Sequence, residues 1–146
     1  METWTPEQAA QELLAILPLL HRLVAAEVRG QDGDETTMPQ FRVLSHLADG
    51  PLTVSALARL RRVSLQSMGE LVQVLVERGW ITRTPDPNDR RQQQLMLTEQ
   101  GRQQYQRMHA HVMDKLVPML KRLSPTEVAA VQIALPALHS LFAGDE

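Results

Sequence analysis

The chain has no cysteine. Disulfide frameworks, thiolate metal sites and cysteine-based redox sensing are therefore excluded. Aromatic residues are scarce at 3%, so a hydrophobic content of 43% has to come from Leu, Val, Ala and Met. That mixture suits helices better than a β-sandwich. No uninterrupted apolar run approaches the roughly 18–20 residues needed to cross a bilayer. The opening METWTPEQ carries acids where a secretory leader carries basic residues. No membrane partner is expected, and the cytoplasm is the default location. Also missing are a glycine-rich phosphate loop, a nucleophile elbow and a carboxylate pair in a catalytic setting. Nothing in the chain reads as an enzyme, and no cofactor is expected.

A length of 146 residues fits one domain, or two fused lobes, with a real core. The formal net charge of −2 gives no global sign of a polyanionic partner, but the charge is unevenly placed. Residues 52–95 hold seven Arg (59, 61, 62, 78, 83, 90, 91) and four acids (70, 77, 86, 89), while the remainder holds eight basic and thirteen acidic residues. A basic segment inside an acidic chain is the pattern of an electrostatic footprint for phosphate.

Local signals divide the chain into helices. Thr5-Pro6-Glu7-Gln8 is a capping box with Pro at the first helical position, followed by a stripe of Ala9, Leu13, Leu17, Leu20, Val24 and Val28. Pro18 should kink that helix, because it removes a donor and crowds the carbonyl of Leu14. The acidic stretch GQDGDE over residues 30–35 reads as a loop. Thr37 to Gln40 repeats the capping logic, with Phe41, Leu44 and Leu47 on the buried side of a second helix that ends at Asp49-Gly50-Pro51.

Thr53 can cap a third helix with Val54, Leu57 and Leu60 on its apolar face, and after a break near Arg62-Val63, Ser64 opens a fourth. So brief a turn forces two amphipathic helices to cross steeply. The fourth helix, from Leu65 to about Arg78, buries Met68, Leu71, Val72, Leu75 and Val76, and Gly79 closes it. Trp80-Ile81-Thr82 starts a strand, residues 84–89 form a proline-bearing loop, and Gln94 to Leu97 returns. Helix, turn, helix and basic hairpin in this order are the sequence form of a winged helix-turn-helix. The expected fold is mainly α with a small β-hairpin wing (α+β), in a single domain over 1–146 whose DNA-binding lobe occupies 38–98.

Thr98 caps a fifth helix carrying Tyr105, Met108, Val112, Leu116, Met119, Leu120 and Leu123, with Pro118 expected to bend or break it. Ser124 to Glu127 is a third capping box, ahead of a seam of Val128, Val131, Leu135, Leu138 and Phe142 interrupted by Pro136. The flanking segments, 5–30 and 99–143, hold apolar helical stripes with few neighbours to cover them. Packing both ends on each other and on a second copy buries those faces, so the chain reads as a homodimer with a helical dimerisation lobe.

The fourth helix opens with small and polar groups at its positive dipole end, which suits phosphate contact. Ser64, which precedes the helix, belongs to the candidate DNA-binding set; Gln66 can pair bidentately with adenine, Ser67 can serve either base, and Leu65 can touch a thymine methyl. Gly69 leaves room for close approach, while Glu70 and Gln73 continue the same face. At the hairpin tip Arg90 and Arg91 suit a minor groove, with Asp89 able to hold Arg91 by a bidentate pair. The bland alternatives are a solvated polar helix face and a solvated hairpin tip.

The run from Leu52 to Gly101 resembles the MarR family of bacterial transcriptional regulators. ERGWITR at 77–83, DPNDRR at 86–91 and LTEQG at 97–101 carry the resemblance, which extends through MPQFRVLSHLA at 38–48. It implies a homodimer that binds a pseudo-palindromic operator on double-stranded DNA. Residues 64–78 would be the recognition helix, Asp89 and Arg91 the Asp-x-Arg wing motif, and the first, fifth and sixth helices the dimer lobe. Family members are usually repressors released by a small aromatic or anionic effector bound between the lobes. Here His21, Phe41, His46 and Met108 are the candidate pocket residues. One departure is Glu70, where many members carry a basic residue. It either accepts from a cytosine amino group or is turned away by a neighbouring Arg.

The five histidines (21, 46, 109, 111, 139) raise a metal-responsive regulator as an alternative. His109 and His111, two apart on a helix, face different sides and make no i, i+4 ligand pair. His21, His46 and His109 could meet only through tertiary packing. No metal site is assigned, and the histidines read instead as lining a polar seam or contacting an anionic effector. A winged helix that binds protein is the remaining alternative, against which the Asp89/Arg91 wing argues.

Overall fold

The computed structural model describes residues 3–30 and 36–144, so the acidic loop expected over residues 30–35 lies outside them from Gln31 onward. The described chain runs α1 (Pro6–Arg29), α2 (Met38–Ala48), β1 (Leu52–Thr53), α3 (Val54–Arg61), α4 (Leu65–Glu77), β2 (Ile81–Pro85), β3 (Gln93–Leu97), α5 (Glu99–Leu120) and α6 (Pro125–Ala143).

The helix starts follow from local chemistry. Thr5, Thr37 and Ser124 form capping boxes with Gln8, Gln40 and Glu127, each with Pro in the first turn. At α2, Thr37 Oγ1 accepts from the Gln40 N–H at 3.3 Å and Gln40 Oε1 accepts from the Thr37 N–H at 3.0 Å. Single-residue caps at Thr53, Ser64 and Thr98 open α3, α4 and α5. The helices run unbroken through Pro18, Pro118 and Pro136, so the break that Pro118 could have made in α5 does not occur. Each proline removes one backbone donor, and in helices of 24, 22 and 19 residues the flanking turns carry the helix across.

The sheet holds one strand more than the expected hairpin. β3 is central in the order β1-β3-β2, with Leu52 opposite Leu95 on one side and Ile81 opposite Leu97 on the other. A two-residue strand has no period to read, so β1 was legible only as the cap of α3. β2 also continues into the segment expected as loop, pairing Pro85 with Gln93. Proline is tolerated there because β2 is an edge strand.

One core joins α2, α3, α4 and the sheet to the first half of α5 and the end of α1. Leu44, Leu57, Met68, Val72, Leu75 and Leu95 are fully enclosed, and Val28, Met108 and Val112 close it from the long helices. The joint between sheet and α5 is tight. The Thr98 hydroxyl donates to the Gly79 carbonyl at 2.6 Å, its N–H donates to the Trp80 carbonyl at 3.0 Å, and it caps Gly101. Gly101 presses so closely on the Trp80 backbone that any Cβ there would collide with the carbonyl.

The rest of the long helices is different. α6 buries no residue and has no extended contact with any described element of its own chain. Its apolar residues are not confined to the expected seam, since Ile133 and Leu141 on another face are also exposed. Most of α1 is equally bare, from Leu13 to Leu20. By length and mean hydropathy (1.3 for each), Pro6–Arg29 and Pro125–Ala143 would suffice to cross a membrane. This corrects the expectation from uninterrupted runs, because an average tolerates the Gln and His that interrupt a run.

Candidate nucleic-acid interface

The turn between α3 and α4 is closed by Arg62 in the left-handed conformation, at φ 51° and ψ 45°. Its N–H is directed at the carbonyls of Ala58 and Arg59, and the Val63 N–H donates to Ala58 at 3.0 Å. A residue with a Cβ adopts that conformation at roughly 1–2 kcal/mol, and glycine would adopt it freely. The chain reverses within two residues, and Ser64 then starts α4.

Two of the candidate contact residues serve the helix itself. Ser64 Oγ accepts from the Ser67 N–H at 3.1 Å and donates to Ser67 Oγ at 2.9 Å, which leaves the Ser67 hydroxyl hydrogen facing outward chemistry. α4 buries Met68, Val72 and Leu75 and exposes Leu65, Gln66, Ser67, Glu70 and Gln73. The space above Gly69 is open, and a Cβ there would meet nothing within 4 Å. The exposed face carries no Lys or Arg from Leu65 to Glu77.

Among the described residues no Arg pairs with Glu70, so it is not turned away by a neighbouring Arg as one expectation had it. Its carboxylate accepts instead from Gln66 Nε2 at 3.5 Å, and Glu77 accepts likewise from Gln73 Nε2 at 3.1 Å. Such i, i+4 pairs face each other on a helix. Gln66 is thereby oriented with one amide hydrogen on Glu70, its second hydrogen and its oxygen remaining available.

The wing tip is organised by aspartates acting on backbone. Asp89 Oδ1 accepts from the Arg91 N–H at 3.1 Å, in place of the expected bidentate pair with the guanidinium. Asp86 Oδ1 accepts from the Asn88 N–H at 2.8 Å, and the Gln92 N–H closes the turn on the Asp89 carbonyl at 3.0 Å. Short Asp side chains prefer such local backbone bonds. Arg90 and Arg91 thus occupy the centre of a four-residue turn, both exposed.

Three cavities bear on the remaining candidates. One of about 570 Å³ is lined by Pro18, His21, Arg22, Ala25, Ala26 and Arg29 of α1. A neighbour of about 260 Å³ shares His21, Ala25 and Arg29 and reaches Thr36, Thr37 and Met38 at the start of α2. His21 is the candidate pocket residue found there. Phe41 and Met108 lie in the core, Phe41 stacked on Tyr105 with centroids 5.7 Å apart, and His46 sits in the last turn of α2. Arg22 and Arg29, absent from the sequence-derived set, are carried on the same helix face as His21, a signal visible as an i, i+4, i+8 alternation of basic side chains with Ala. The third cavity, about 500 Å³, lies between α3, the turn and the wing. Among the described residues no three His, Asp or Glu side chains gather closely enough to hold a metal ion.

A steep two-helix unit with a polar second helix and a basic ribbon beside it defines the winged helix-turn-helix class of DNA-binding domains. The profile of the MarR family matches residues 36–92. The multiple antibiotic resistance protein MarR of Salmonella typhimurium is 30% identical over 103 residues, covering 69% of this chain and 72% of that protein. RV1404 from Mycobacterium tuberculosis superposes with a TM-score of 0.79 at 28% identity, over 96% of each chain. A mutant MarR of Escherichia coli complexed with operator DNA superposes with a TM-score of 0.68 at 26% identity, over 88% of this chain and 91% of that one. The chain belongs to the MarR family of transcriptional regulators.

Proposed function

We propose that the protein is a sequence-specific DNA-binding repressor, cytoplasmic and homodimeric, that a small anionic or aromatic effector releases from a pseudo-palindromic operator. The observation carrying this reading is the juxtaposition of an outward polar face at the start of α4 with the Arg90-Arg91 turn of the wing. The operator complex of the Escherichia coli relative supports it. Residues 38–98 form the reading lobe, and 5–30 with 99–143 form the dimer lobe. The bare apolar faces of α1 and α6 favour a twin, because their burial stabilises by about 25 cal/mol per Å² removed from water.

Each half of the dimer inserts residues 64–73 into successive major grooves whose centres lie roughly 10 bp apart. Gln66, steadied by Glu70 through one amide hydrogen, keeps a donor and an acceptor for the N7 and N6 edge of adenine. Ser67 and Leu65 take neighbouring contacts, Gly69 permits close approach, and Gln73 reaches the next step. Arg90 and Arg91 enter the flanking minor groove. The effector reading rests on the adjoining cavities between α1 and the start of α2, where Arg22 and Arg29 supply positive charge and His21 an imidazole. A ligand there that prefers the non-binding spacing by a few kcal/mol empties the operator.

The experiment is selection of duplexes from a random library, followed by anisotropy on the retained sequence. An inverted repeat with half-sites one turn apart is the expected result, and no enrichment over random duplex would refute the reading. Arg91→Ala should weaken binding and lower the salt slope by about one unit. If both stayed unchanged, the wing would not be a DNA contact. Glu70→Gln should relax preference at a single base pair, whereas uniformly tighter binding would count against any part for Glu70 in readout.

A further inference from the structure

The surface between the reading helix and the wing holds cations that the reading above does not use. Arg59 and Arg62, both exposed, line the 500 Å³ cleft together with Ser55, Val63, Leu65 and, from the turn at the wing tip, Gln92. Among the described residues neither arginine lies within 4.0 Å of a carboxylate, and the ion pair that does form is the distant Arg102–Glu99. Arg61, between them in sequence, is half-buried; desolvation, then the like charge of Arg42, push its pKa below the usual arginine range. A strip of guanidinium groups is therefore left without a neutralising partner.

Arg62 adds an independent observation. It closes the turn in the left-handed conformation that glycine favours, and it is the one described residue other than glycine with positive φ. A glycine at this place would close the turn with less strain, so the arginine side chain is retained against a conformational cost.

The geometry points to Arg59 and Arg62 as a clamp for a DNA phosphate, a site lying between the base-reading face of α4 and the wing tip. This assignment rests on the DNA-binding reading. In a duplex the major and minor grooves are separated by a sugar-phosphate strand. A protein that puts α4 in one groove and the wing in the next must lay that strand across whatever joins them. What joins them here is this cleft, with Leu65 on one wall and Gln92 on the other. The clamp also explains how a reading face without Lys or Arg from Leu65 to Glu77 can hold DNA. Its phosphate contacts are moved to the turn that precedes it, leaving α4 to its amides, hydroxyls and carboxylates.

Anisotropy across a salt series, on a duplex that the wild-type protein retains, tests the clamp. Arg62→Gly is expected to keep or raise the melting temperature while weakening binding about tenfold. It should also lower the salt slope by about 0.9. Arg62→Lys should restore most of that slope, and Arg59→Gln should reduce it without the gain in melting temperature. A duplex with a neutral methylphosphonate at the strand between the two grooves should abolish the difference between wild type and Arg62→Gly. If wild type binds the duplex and Arg62→Gly binds it with unchanged affinity and slope, the clamp is overturned. If wild type binds no duplex at low salt, the DNA reading beneath it fails instead. Salt-sensitive capture of poly-glutamate that duplex cannot displace would assign the strip to an acidic protein and also overturn the clamp.

Discussion

Helices α4 and α6 are both rich in Leu and Val, yet they meet opposite fates. α4 sinks Met68, Val72 and Leu75 to at most 1% exposure and turns a narrow polar face outward. α6 leaves Ile133 at 76% and Phe142 at 66% exposed and buries nothing. The difference is one of neighbours. α4 has α2, α3 and the sheet against it, whereas α6 has no comparable partner within its own chain. A helix apolar on more than one side is stable in water only when something covers it. The winged unit is therefore packed within one chain, whereas the apolar faces of α6 are left uncovered by it.

The largest test of that contrast sets a core residue against a bare one. Leu75→Ala should destabilise by about 2–5 kcal/mol, with a drop in melting temperature from wild type that is the same at every protein concentration. Leu135→Ala, at a site 59% exposed in one chain, should also lower the melting temperature, by an amount that grows as the protein is diluted. A change within the ±0.5 kcal/mol expected of a surface site, at every concentration, would mean that nothing covers α6. Of intermediate size is Gly101→Ala at the joint between head and shaft. Its Cβ would strike the Trp80 carbonyl, and the strain should cost about 1–3 kcal/mol in denaturant melts. An unaltered midpoint would show that the joint has slack.

The smallest effect concerns the solvent-facing start of α6. The Glu127 carboxyl is held below its ordinary 4.5 by the Ser124 backbone N–H, then by the Ser124 hydroxyl. A depressed carboxyl stabilises the fold above the unfolded pKa, and that contribution fades as pH falls through the lowered value. An NMR titration should find Glu127 titrating below 4.5, and Ser124→Ala should move it back towards that value. If the titration is the same in both proteins, the capping box does not persist in solution.

What could be read from the chain alone was what is encoded within a few residues. Thr5, Thr37 and Ser124 announce their helices because cap and box are three residues apart, and all three boxes form. The α3–turn–α4 unit is legible for the same reason, since its break and its apolar spacing are both local. β1 was not legible, because two residues become a strand only when β3, some forty positions away, lies beside them. The partner of Asp89 was misjudged because a side chain so short finds a backbone N–H sooner than a guanidinium. Phe41 and Met108 were drawn into the effector set by chemistry that suits a ligand, but the same apolar surface suits a core, and packing decided.

The seam at Thr98 has a mechanical meaning. Three hydrogen bonds and a glycine without clearance tie the end of α4, the root of the wing and the first turn of α5 into one joint. A joint without play transmits rotation instead of absorbing it. α5 is 22 residues long, which at 1.5 Å per residue makes an arm of roughly 33 Å. By geometry, such an arm turns a small tilt at its far end into a displacement of the wing's root about the Thr98 seam. The long helix and the base of the wing thus form one lever.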